Sequence, residues 1–283
     1  MSAQPPVPED NELVEILNLE QIDLDLYRGF TPAREGRRIY GGQVVAQALT
    51  AAYRTIEDRL CHSMHAYFIR PGDPSVPILF QVDRARDGGS FSVRRVTAIQ
   101  NGKQIFNLAA SFQVPEDGFE HQDPPPAVPQ PEELLNEEQL READGVPPRD
   151  REWPVEVRPI DPQRHGQTEP MAPLYNVWFK ARQSVGTDIA VNQCALAYGS
   201  DMSLLDASLR PHPVPHGDLQ VASLDHALWF HRPSDFSDWH LYVQDSPSAS
   251  GGRGFNRGSI FDRQGRLVAS ATQEALIRHR PRS

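Results

Sequence analysis

The chain has 283 residues, enough for one large domain or two smaller ones and for a substantial core. Its 28 basic and 38 acidic residues leave a net charge of −10, which argues against a broad phosphate-tracking surface and so against nucleic acid as a partner. Two cysteines, Cys61 and Cys194, exclude a disulfide framework, and neither sits in a CxxC pair, so a reducing compartment, the cytoplasm, is expected. The opening MSAQPPVPEDNELVEILNLEQ has no basic start, apolar run or small-residue cleavage pattern, and no stretch of 18 apolar residues occurs, so neither a signal peptide nor a membrane helix is expected.

In chain order, a helical pattern over Val14–Ile22 precedes a short strand, Leu24–Phe30. GGQVVAQALTAAYRTI, Gly41–Ile56, repeats its apolar positions at three and four and begins on two glycines, as a helix whose small Ala faces let a sheet wrap it closely. Four strands follow at His62–Arg70, Ile78–Arg86, Phe91–Gln100 and Gln104–Val114, joined by RPGDP, RDGGS and QNGK; the last is a strong hairpin signal. Thirteen of the 26 prolines then fall between Pro115 and Pro173 among runs of Glu and Asp. Such a segment is expected to hold no core of its own, only one short surface helix after Pro131.

The second half repeats the order: a strand Val177–Gln183, a helical stretch Ile189–Leu209, then strands at Val221–His231, Trp239–Gln244, Phe255–Phe261 and Leu267–Arg278. YFIRPG at Tyr67–Gly72 echoes WFHRPS at Trp229–Ser234, and the glycine turns before Phe91 and Phe255 correspond. The NGK hairpin likewise matches QGR at Gln264–Arg266, at a separation near 163 residues throughout. The pattern predicts an internal duplication of an α+β unit, a long helix followed by an antiparallel meander.

The strings GGQVVAQAL, HSMHAYFIRPGDP, RDGGSFSVRRVTAIQNGKQIF, LAYGSDMSLLDASL, ASLDHALWFHRP and RGFNRGSIFDRQGRLVASATQEALIR, spread over both halves, resemble the type II acyl-CoA thioesterases. The resemblance implies two tandem hotdog domains, at 1–114 and 174–283, joined by the acidic proline-rich linker 115–173. It implies hydrolysis of fatty acyl-CoA to free acid and CoA without cofactor or metal, by a water held on Asp201, Ser223 and Gln273. It also implies acyl-CoA as the substrate partner and a homo-oligomer through hotdog sheet pairing. The first half has no matching acid: its YGGQ places Gln43 near the acid's position, so one catalytic centre per chain is expected.

A thioester releases a thiolate of parent pKa about 8.5, so aligning and deprotonating water matters more than a strong general acid. In LVASATQEALI, alternate residues from Leu267 to Ile277 form an apolar face on which Gln273 is the polar member, and a buried amide needs a partner. Ser223 falls by parity on the face of Asp225, Ala227 and Trp229, opposite the greasier Leu224, His226 and Leu228; a bulge or a strand start after Ser223 reconciles this. Asp201 reads equally as the cap of a helix restarting at YGSD.

His62 and His65 form an HxxH that lacks further ligands, so no metal site is expected. His226 is expected to be a satisfied core histidine, both cysteines buried filler, and Arg70 and Arg232 structural. The basic tail with Arg278, Arg280 and Arg282 is a possible phosphate contact but is expected to be solvated. Two readings compete with hydrolysis: a hotdog hydratase or dehydratase, which needs a His beside an acid near the central helix, and a non-catalytic acyl-CoA binding protein.

Overall fold

The computed structural model describes residues 11–32, 38–163, 165–167, 169–214 and 218–280; Arg282 and the first ten residues lie outside them. Among these residues thirteen strands form one antiparallel sheet. Its first half runs β1 (Glu20–Asp23), β2 (Leu26–Gly29), β4 (Ile78–Asp87), β5 (Phe91–Gln100), β6 (Lys103–Gln113) and β3 (Leu60–Phe68). The second continues with β10 (Asp225–Phe230), β13 (Leu267–His279), β12 (Arg253–Asp262), β11 (His240–Ser250), β8 (Val177–Ala181) and β7 (Val155–Pro159). The halves meet where β3 pairs with β10, Asp225 opposite Tyr67 and Trp229 opposite Ser63. β9 (Leu219–Ser223) runs just ahead of β10 and pairs with the far end of β13.

Two helices, α2 (Gly41–Tyr53) and α4 (Ile189–Ser200), pack against the sheet and against each other. Val45, Ala46, Ala48, Leu49, Ala51 and Ala52 of α2 are fully buried, and their small side chains let α4 approach. Burying each Val or Leu here contributes about 1.5–3 kcal/mol. α4 is buried from Asn192 to Ser200, the signature of a helix enclosed on all sides. The two run antiparallel: Tyr53, at the end of α2, donates its hydroxyl to Gln193 near the start of α4, and Tyr40, ahead of α2, donates to the Tyr198 carbonyl at the end of α4, at 2.9 Å.

Several expected elements are redrawn. The first helix is α1 (Glu12–Leu17), capped by the Asn11 side chain, and the chain then folds into the β1–β2 hairpin over Asp25 at φ +56° rather than one helix to Ile22 and one strand. The long second helix breaks after Ser200, and α5 (Asp206–Leu209) resumes past Ser203, at φ +64°. The duplication offset is therefore not uniform. The helices begin at Gly41 and Ile189, 148 residues apart. The strand turns keep the longer spacing: Arg70 Nη1 donates to the Gln104 carbonyl at 2.6 Å, and Arg232 Nη1 to that of Leu267 at 2.8 Å.

The proline-rich segment does more than link. It carries one 3-10 turn (Pro131–Glu133) and α3 (Glu137–Ala143), both with capping boxes, and then VEVRP adds β7 to the sheet edge with Val155 and Val157 in the main core. Its earlier part lies on the outer face of the second half. There Val128 and Leu134 pack on Trp178, Trp239, Leu241 and Phe261, and Trp178 Nε1 donates to the Pro129 carbonyl at 2.9 Å. Among the described residues, no helix is long and apolar enough to cross a membrane.

Candidate active site

Asp201 caps the C-terminal end of α4 and is 7% exposed. Gln273 Nε2 donates to its Oδ1 at 2.7 Å, and Ser223 Oγ donates to the same oxygen at 3.4 Å. The three side chains named from the sequence are thus brought together, around one carboxylate oxygen. The other face of the carboxylate meets the first half of the chain, because the Gly42 N–H at the start of α2 also bonds to it. A Cβ on Gly41 would stand 2.7 Å from Asp201 Oδ2, and one on Gly42 2.4 Å from the Tyr198 carbonyl, so this approach requires both glycines. α2 has no side-chain N-cap and no acidic residue in its first turn, leaving its electropositive end to face Asp201.

Burial pushes the Asp201 carboxyl up to about 6, against the bonds from Gln273, Gly42 and Ser223, which favour the ionised form. The group therefore ionises just below neutrality, where a base able to take a proton from water and return it is most useful. Gln273 is fully buried on the inward face of β13, between Ala271 and Ala275. With its amide N–H₂ on Asp201, its Oε1 has no protein partner among the described residues and is available to accept from a small donor such as water.

Strand parity misplaced Ser223 for a local reason. Ser223 stands opposite Ala275 and Ala227 opposite Thr272, so four steps along β9–β10 match three along β13. The extra residue falls at Leu224, where β9 ends before β10 begins, and turns Ser223 to the face of Gln273. The irregularity is fully bonded. Leu224 N–H donates to the Glu274 carbonyl at 2.9 Å, and the Glu274 N–H is taken by the Asp225 carboxylate at 2.7 Å. Asp225 is thereby a structural residue of the bulge.

The sequence match of YGGQ with YGSD does not survive in space. YGGQ opens α2 whereas YGSD closes α4, and the two strings touch instead of occupying equivalent places. Gln43 bonds Thr31 Oγ1 at 2.9 Å and the Phe30 carbonyl at 3.3 Å, tying the loop after β2 to α2. Asp201 closes one helix rather than capping the next one.

His226 is buried beneath the end of α4, with Nε2 2.9 Å from Ser200 Oγ and Nδ1 lacking a partner among the described residues, so the expectation of a fully satisfied histidine is corrected. Burial pushes it down to about 4, leaving it neutral at pH 7. His62 bonds Ser111 Oγ and His65 packs edge-on against Trp229; among the described residues no group of three or more His, Cys, Asp or Glu is placed to hold a metal ion. Cys61 and Cys194 are both buried and free, and burial raises both thiols.

A cavity of about 350 Å³ opens beside this cluster. Gly41 and Ser223 connect it to Asp201, while Val44, Phe68, Phe106 and Ala222 give it apolar walls. Its size and apolar lining with a few convergent polar groups are those of a small-molecule site. Arg70 also lines it, but its carbonyl bond is the one Arg232 repeats in the other half. Sequence reasoning missed the part played by the start of α2; the available signal was the Gly-Gly pair ahead of a buried helix.

A family model described as acyl-CoA thioesterase matches residues 149–276, and one described as the acyl-CoA thioesterase N-terminal domain matches residues 31–113. Acyl-CoA thioesterase 2 of Haemophilus influenzae is 42% identical over 281 residues, covering 95% of this chain and 97% of that protein. The crystal structure of an acyl-CoA thioesterase II, TesB2, from Mycobacterium marinum superposes with a TM-score of 0.79 at 40% identity, covering 94% of this chain and 98% of that one. A protein of unknown function with a hot dog fold from Alicyclobacillus acidocaldarius shares the fold at 19% identity and a TM-score of 0.78, over 95% and 98% of the two chains. With both halves matched and the architecture that of tandem hotdog domains, the chain belongs to the type II acyl-CoA thioesterase family.

Proposed function

We propose that the chain hydrolyses fatty acyl-CoA to the free acid and CoA by direct attack of a water held between Asp201, Ser223 and Gln273. The observation that carries this is the pairing of Gln273 Nε2 with Asp201 Oδ1 while Gln273 Oε1 stays open, beside a largely apolar cavity. Asp201 takes a proton as the water oxygen attacks the thioester carbonyl carbon. The uncapped start of α2, beyond the Gly42 N–H that Asp201 takes, supplies positive potential for the oxyanion that forms. Collapse of that intermediate breaks the C–S bond, and the proton on Asp201 passes to the departing CoA thiolate. His226 bonds Ser200 and does not line the cavity, which favours hydrolysis over the hydratase reading.

The same reading divides the chain at about residues 114 and 174, places it in the cytoplasm, and has whole chains associating through sheet faces. The two free buried cysteines support the compartment, and Tyr67 and Phe91, exposed on the sheet, support the association. The test is release of CoA thiol from a series of straight-chain acyl-CoAs by wild type, Asp201→Asn, Ser223→Ala and Gln273→Ala. Turnover by wild type with losses in all three folded variants supports the mechanism. Binding of acyl-CoA without thiol release by wild type overturns it in favour of a binding protein.

A further inference from the structure

Tyr242 of β11 is fully buried, and its hydroxyl donates to the Ser200 carbonyl at 2.9 Å. Ser200 is the last residue of α4, so that carbonyl has no partner within the helix, and its peptide leads directly into Asp201. The ring is held by stacking on Phe179, with centroids 5.2 Å apart at 25°, and by Gly258, where a Cβ would lie 2.2 Å from Tyr242 Cε2. A tyrosine with no contact to the cavity is thus seated, with a glycine made for it, on the peptide that carries the candidate base.

We propose that Tyr242 is a positioning residue for Asp201: its hydroxyl fixes the last peptide of α4 and offsets the partial negative charge of the helix end beside the carboxylate. The proposal rests on the water-attack reading for its catalytic consequence. Asp201 is faced by Gly42 N–H and Tyr40 from the start of α2, by Ser223 from β9 and by Gln273 from β13. Tyr242 from β11 faces it as well, with His226 of β10 reaching it through Ser200. Burial raises Tyr40 and Tyr242 and lowers His226, so these three stay neutral between about pH 5 and 8 and Asp201 titrates among uncharged neighbours.

Tyr242→Phe keeps the ring and removes the donor. The expected result is kcat lower by about tenfold with KM within about twofold. The acid limb of the kcat profile, and the titration of the ¹³C-labelled Asp201 carboxyl without substrate, should both move up by roughly half a pH unit. Replacing Tyr242 by 3-fluorotyrosine, a stronger donor of nearly the same shape, should move the carboxyl titration down, and it decides the matter if Tyr242→Phe does not fold. Phe179→Leu, which loosens the ring without removing the hydroxyl, should lower Tm and move that titration by clearly less than Tyr242→Phe does. An unmoved carboxyl titration in both Tyr242 variants, or an equal shift in Phe179→Leu, overturns the proposal. Because the carboxyl is read without substrate, undiminished turnover by Asp201→Asn sinks the water-attack reading separately.

Discussion

The two halves carry the same corner twice and furnish it differently. In the second half Gln273 pairs with Asn256; in the first the corresponding pair is Ala110 with Arg94. The one-residue slip that turns Ser223 inward is repeated in β3 between Cys61 and Ser63, which puts Cys61 in the place of Ser223. Asp201 caps α4 where Arg54 caps α2. The first corner therefore holds neither carboxylate, hydroxyl nor amide at the three positions. Its space is filled by Arg94, 2% exposed, whose guanidinium bonds the side chain and carbonyl of Thr55, the carbonyls of Arg86 and Val93, and the Asp87 carboxylate. The duplication preserved backbone register, bulge included, while the polar contents diverged. Geometry alone does not make a site.

The most severe way to break this comparison is to exchange the roles of its corners. Asp201→Asn should lower kcat by about 10³-fold, in the range of general-base losses, while Arg54→Ala at its counterpart leaves thiol release within about twofold. Equal losses from the two would sink the asymmetry. Arg94→Met should do the reverse. Stranding the carbonyls that Arg94 serves costs about 2–4 kcal/mol in a urea titration, with kcat per folded molecule unchanged; a fall in kcat instead would give the first corner a catalytic part.

A finer cut uses pH. Asp201 titrates at about 6 when folded against a normal value of 3.8, so its protonated form is favoured by folding. The stability this brings is present below about pH 4 and is lost as pH rises through about 6. Asp201→Asn, which cannot ionise, should then gain about 2–3 kcal/mol over wild type at pH 8 and nothing at pH 4. Thermal melts at the two pH values check this, and a gain independent of pH would contradict burial as the cause. The smallest effect compares the two turn arginines. Arg70→Ala and Arg232→Ala each remove one charge-assisted bond to a strand-start carbonyl and should cost about 1–2 kcal/mol alike, the 3.6 Å pair of Arg232 with the exposed Glu120 adding little. A clear inequality in chemical denaturation would show that the turns have diverged.

Much of the architecture was legible because it is local. The alanine-rich run after Gly41, the Asn101–Gly102 turn and the matched RPG and RPS strings carry their structure in neighbouring residues. Gln273 was also readable, since one amide on an otherwise apolar face has few uses. Ser223 was readable only with a break allowed for directly after it, because a single extra residue at Leu224 inverts parity and leaves no mark in composition. β7 was hidden by its setting: Val155 and Val157 alternate properly, but the surrounding prolines dominate any window wide enough to judge a linker. The end of the second helix was missed because YGSDMSLLDASL keeps helical spacing through the break. The approach of the two helix ends, with Tyr40 on Tyr198 and Tyr242 on Ser200, joins residues 158 and 42 positions apart and has no signature along the chain.

The meeting of Gly41 and Gly42 with Asp201 also bears on how the first half would look to mutagenesis. The hydrogen bond that half lends to the carboxylate comes from main chain, which has no side chain to truncate. An alanine scan of the first half would therefore register the cavity walls, such as Val44, Phe68 and Phe106, and pass over what the start of α2 gives the carboxylate. Only the opposite operation, adding a methyl group at Gly41 or Gly42, touches the contribution. A second half expressed by itself keeps all three polar side chains and loses the helix end they face.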